Sequence, residues 1–85
     1  MRIEFYQHAK NKFRILRKYG FSITERQVKE AVLRPEKVAI SYRVDRFIAE
    51  KKISNTHKLR VIFERGRNKI TIITFYPTRR IRYEK

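Results

Sequence analysis

An α+β fold is predicted, with two N-terminal helices packed on one face of a four-stranded antiparallel sheet. Three observations carry it. Thr24 with Gln27 three residues on is a capping-box pattern that opens a helix. Beyond Pro35 the apolar spacing changes from a helical period to strict alternation. The run Ile70-Thr71-Ile72-Ile73-Thr74-Phe75-Tyr76 is apolar on both faces and rich in β-branched residues, which marks a central strand.

Taken in chain order, Ile3 to Tyr6 is compatible with a short strand. Ala9 to Tyr19 reads as a helix, because Ala9, Phe13 and Leu16 fall on one face with Ile15 and Tyr19 on its flank. Its outer face carries Lys10, Lys12, Arg14, Arg17 and Lys18, and Gly20 supplies a left-handed stop. The second helix runs over Glu25 to Leu33 and buries Val28, Ala31 and Val32, with Ile23 and Val28 at hydrophobic-staple positions. Pro35 forbids its continuation. Strands are then expected over Val38 to Tyr42, Arg46 to Ile53, Leu59 to Arg65 and Lys69 to Tyr76. Gly66-Arg67-Asn68 forms the last hairpin turn, Pro77 ends the last strand, and Thr78 to Lys85 is a basic tail.

At 85 residues the chain makes one domain, residues 1–85, burying about 60–65% of its unfolded surface. Two Gly and two Pro are too few for a low-complexity chain, and 41% hydrophobic residues can build a core. The absence of Cys excludes disulfides and thiolate metal sites, and fits a reducing, cytoplasmic setting. MRIEFYQHAK lacks the apolar stretch of a signal peptide, so neither secretion nor a membrane span is expected.

Charge narrows the function. With 23 Lys+Arg against 8 Asp+Glu the chain carries +15, which suits a partner made of phosphates better than a merely solubilising surface. If the strands over 46–53, 59–65 and 69–76 are consecutive hairpins, one edge of the sheet collects Lys51, Lys52, His57, Lys58, Arg60, Arg79, Arg80 and Arg82. Such a cluster can cleave a phosphodiester without metal, if a ribose 2′-oxygen attacks in line and cations stabilise the phosphoryl charge. Arg60, Arg79 and Arg80 suit that role because guanidinium meets phosphate bidentately. Lys51 or Lys52 then carries the proton, His57 is a second titratable candidate, and Tyr83 stacks on a base or relays a proton. The plainer readings are a loop residue for His57, packing against the sheet for Tyr83, and a basic edge that deters strand association. His8 has no second ligand at metal-binding spacing, so no metal is expected, and no cofactor motif is present. The lack of a nucleophile elbow, a P-loop or a carboxylate pair excludes the commonest hydrolase, nucleotide-binding and metal-nuclease signatures.

The stretch from His8-Ala9 through Tyr19-Gly20-Phe21-Ser22 to Val28, Ala31 and Pro35, with the closing Ile73-Thr74-Phe75-Tyr76-Pro77, resembles small BrnT-type and RelE/ParE-like toxins of toxin–antitoxin pairs. That resemblance implies a RelE-like domain and a metal-independent endoribonuclease acting on mRNA at the ribosome. It implies neutralisation by an acidic antitoxin, in a heterotetramer, and a catalytic set of Lys51, Lys52, Arg60, Arg79 and Tyr83. His57, Lys58, Arg80 and Arg82 would then hold RNA. Two alternatives stay open: a non-catalytic nucleic-acid-binding or degenerate relative, and a gyrase-inhibiting ParE-like toxin.

Overall fold

A computed structural model describes residues 2–41 and 45–80. The element order is β1 (Arg2–Phe5), α1 (Gln7–Lys18), α2 (Glu25–Leu33), β2 (Lys37–Ile40), β3 (Arg46–Lys52), β4 (His57–Gly66) and β5 (Lys69–Arg79). The strands form one five-stranded mixed sheet in the order β1-β5-β4-β3-β2.

This corrects the expected four-stranded antiparallel, RelE-like architecture. The sheet begins before the helices, and β1 lies parallel to β5, with Arg2 opposite Lys69 and Phe5 opposite Ile72. The reason is legible in β5 itself. A four-stranded meander would leave this doubly apolar strand at an edge, whereas Ile70 and Ile72 are almost fully buried and need a neighbour on each side. β4 covers one side and β1 the other, where Asn68 O accepts from Arg2 N–H and Ile72 O accepts from Tyr6 N–H.

Pro77 does not end β5, which continues to Arg79. Arg80 N–H donates to Thr56 O at 2.9 Å, which fixes the alternation of the ladder. Pro77, opposite Leu59, therefore turns its ring nitrogen away from β4, toward the side that β1 has already vacated, and no ladder bond is lost. The β4–β5 pairing also carries an irregularity between Ile62 and Phe63, where Ile73 is the additional residue.

Both helices lie on one face. α1 packs on β5 and β1, and α2 packs on β3 and β4. Phe13 bridges Phe5 at 5.8 Å and Phe75 at 4.6 Å between ring centroids. The core between the helices and the sheet includes Ala9, Leu16, Val28, Ala31, Ala49, Leu59, Val61, Phe63, Ile72 and Phe75. α1 ends where Gly20 takes φ 90°, and Phe21 N–H returns to Leu16 O at 3.0 Å, as a left-handed glycine permits. α2 opens with the expected capping box. Thr24 Oγ1 accepts from Gln27 N–H at 3.1 Å, and Gln27 Oε1 accepts from Thr24 N–H at 2.9 Å.

Candidate polyanion-binding surface

The strand register does bring the end of β3, the start of β4 and the end of β5 to one end of the sheet. Lys51 pairs with Leu59, Lys52 with Lys58, and His57 with Arg79. Alternation along the strands then divides this cluster between two faces. Lys51, His57 and Arg79 fall on the side of buried Ala49 and Leu59, beneath the helices. Lys52, Lys58 and Arg60 fall on the opposite side by alternation, against which neither α1 nor α2 packs, although Lys52, the last residue of β3, also borders α2. Tyr83 and Arg82 lie outside the described residues.

Most of these cations already have partners. Lys51 Nζ donates to Arg34 O at 2.9 Å, closing the C-terminal end of α2. Glu50, whose side chain is 14% exposed, receives Lys58 Nζ at 3.0 Å and Arg60 Nε at 2.9 Å. The Arg60 N–H is not aimed at the oxygen, so that contact is ionic and not a formed hydrogen bond. Arg60 also lies 5.8 Å from the ring centre of Tyr76. A transverse row Lys37, Glu50, Arg60, Tyr76 thus crosses three strand pairs on the open face. Arg80 donates from its guanidinium to Asn55 O at 3.3 Å. His57 is the first residue of β4, its ring meeting that of Phe21 edge-on with centroids 5.2 Å apart and its Nδ1 2.9 Å from Thr56 Oγ1. Lys52 remains exposed, and with Arg26 and Lys51 it lines a shallow groove of about 250 Å³ between α2 and β3.

The richer cationic surface lies on α1. Lys10, Lys12, Arg14, Arg17 and Lys18 occupy a helix that contains no acidic residue, and none of the five makes an ion pair or side-chain hydrogen bond among the described residues. At 100° per residue Lys10, Arg14 and Arg17 form one stripe, flanked by Lys18, while Ala9, Phe13 and Leu16 face the core. Arg17 and Lys18 also sit in the last turn, where the helix dipole favours positive charge. Beside the stripe, Ile15 is 43% and Tyr19 75% exposed. The contact of Phe21 with His57 sets this last turn at the same end of the molecule as Arg79 and Arg80. These cations are plain in the sequence on the outer face of the first helix, but none of them lies at a strand end. The signal that singles them out is the missing carboxylate at i±3 and i±4.

The opposite end mixes both signs. A groove of about 450 Å³ there is lined by Glu4, Asp45 and Glu64 with Arg65 and Lys69. Arg46 Nε meets Glu64 at 3.1 Å, and Lys69 Nζ meets Glu4 at 3.6 Å. Among the described residues no group of three or more His, Asp or Glu side chains is placed to hold a metal ion, and no helix is long and apolar enough to cross a membrane. No protein-family model matches this sequence, and no curated protein or solved structure matches it either.

Proposed function

We propose that this chain binds the phosphate backbone of RNA, in the cytoplasm, through the outer face of α1 and the adjoining end of the sheet. The observation that carries the reading is the stripe Lys10, Arg14 and Arg17, flanked by Lys18, on a helix without a carboxylate. An uncompensated cationic stripe releases condensed counterions when phosphates replace them, so affinity is large at low salt and falls steeply as salt rises. Tyr19, three-quarters exposed just past the last turn of α1, offers a stacking surface for an unpaired base.

A second reading, the metal-independent endoribonuclease toxin, draws on the convergence of Lys52, Lys58 and Arg60 on the open face beside Tyr76. There the Glu50 carboxylate neutralises the two cations nearest the tyrosine, which favours holding RNA over stabilising a developing phosphoryl charge. An acidic protein partner suits either reading, since a +15 chain attracts one by steering.

End-labelled single-stranded and duplex RNA, titrated by fluorescence anisotropy and then resolved on a gel, separates these readings. Binding with a strong inverse dependence on salt and an intact label supports the binding protein. Metal-independent fragments lost in Arg60→Ala would move the toxin reading ahead. Absence of binding at low salt contradicts both.

A further inference from the structure

Each sheet edge is treated differently. β1 exposes charge, with Arg2 and Glu4 paired at 3.2 Å and Lys69 alongside, which is how edges are commonly protected from further pairing. β2, at the other edge, has all four residues exposed. Only Lys37 among them is charged, while Val38 is 49% and Ile40 78% exposed. Leu33, which ends α2 four residues before β2 begins, is a further 55% exposed.

The ladder parity makes this edge specific. Ser41 N–H donates to Arg46 O at 3.0 Å, so Lys37, opposite Glu50, and Ala39, opposite Ile48, direct their backbone groups toward β3. Val38 and Ile40 direct theirs outward. The residues with outward-facing N–H and C=O groups are therefore the ones with exposed apolar side chains. Those side chains lie on the helix side of the sheet, in register with Ala49 and Phe47.

We infer that β2 is a docking edge for an extended segment of another protein in which apolar and acidic residues alternate. The backbone of that segment pairs with Val38 and Ile40. Its apolar side chains cover Val38, Ile40 and the flank of Phe47, while an acidic residue on the alternate face lies beside Lys37, at the head of the row Lys37, Glu50, Arg60, Tyr76. Pairing by main-chain hydrogen bonds with side-chain selection at every second position is the usual grammar of strand addition. Charge selects the occupant. A second copy would bring another +15 to the edge, whereas an acidic segment gains from the field of the whole chain. This inference does not depend on RNA binding, because β2 and the α1 stripe share no residue.

The test uses the full chain and a fluorescein-labelled, end-capped peptide of about eight residues alternating Glu with Val or Ile. Its comparators are a peptide of identical composition with the Glu residues in one block, and the alternating peptide N-methylated at every second amide. The alternating peptide is expected to bind at least about tenfold tighter than either comparator, and Ile40→Lys to weaken it by about tenfold. Amide exchange at Val38 and Ile40 should slow when the peptide is bound, a readout independent of the variant's stability. Equal affinity for the block peptide would show attraction by charge alone and overturn the inference. So would a dimer of the chain by sedimentation equilibrium that Ile40→Lys dissolves, since the occupant would then be a second copy.

Discussion

The outer face of α1 and the end of the sheet at Lys51 to Arg60 are similar in cation content and opposite in how that charge is handled. On the sheet one carboxylate, Glu50, takes up Lys58 and Arg60, Lys51 is spent on a carbonyl of α2, and Arg80 on a carbonyl of the β3–β4 turn. On α1 none of Lys10, Arg14, Arg17 and Lys18 makes an ion pair among the described residues, although Lys10 borders a groove shared with Glu4 and Glu25. Charge that is partly buried must be satisfied for the fold to hold. Charge on an open helix face can stay available for a ligand. Cations of the sheet end are thus largely structural, and those of α1 are free to act.

The largest expected effect tests the structural half of that contrast. Glu50→Gln removes the anion between Lys58 at 18% and Arg60 at 33% side-chain exposure. It should lower unfolding free energy by about 2 kcal/mol, read as a fall in the urea midpoint at constant slope. An unchanged midpoint would mean that the row Lys37, Glu50, Arg60, Tyr76 is ornamental to the fold. Next in size, Lys51→Met, which keeps the aliphatic stem and deletes the bond to Arg34 O, should cost about 1 kcal/mol and leave RNA affinity nearly untouched. A loss of RNA affinity without a loss of stability would instead return Lys51 to the binding surface. The smallest effect concerns the free stripe: Arg14→Ala, at an exposed helical position, should change stability by no more than about 0.5 kcal/mol.

How much of this could be read from the chain follows from which interactions are local. The capping box at Thr24 and Gln27, the stop at Gly20 and the limits of α2 depend on neighbours within a few residues, and all are present as expected. The hairpin register that gathers Lys52, Lys58 and Arg79 was legible for the same reason. The place of β1 was not, because its pairing with β5 joins Arg2 to Lys69 across the whole chain. The apolar residues on both faces of β5 nevertheless pointed to a strand with neighbours on each side. Pro77 misled because a proline interrupts a strand only where its nitrogen faces a partner, and that parity is set by Arg80 and Thr56. In the candidate site, residue types pointed to positive charge and to carboxylates that pair with it. Glu50 stands among cations in the sequence and is expected to pair with them, but that it takes Lys58 and Arg60 is set only once β3 and β4 pair.

The central claim, that the free cations of α1 bind the phosphates, is tested most directly by the salt dependence of RNA binding in two triple variants. One removes Lys10, Arg14 and Arg17 as alanines; the other removes Lys52, Arg79 and Arg80. For a single strand each lost phosphate contact lowers the slope of log affinity against log salt by about 0.7. The α1 triple should therefore lose about 2 units of slope, while the sheet-end triple loses clearly less. Equal losses, or a larger loss in the sheet-end triple, would contradict the account and place the binding surface at the convergence of β3, β4 and β5.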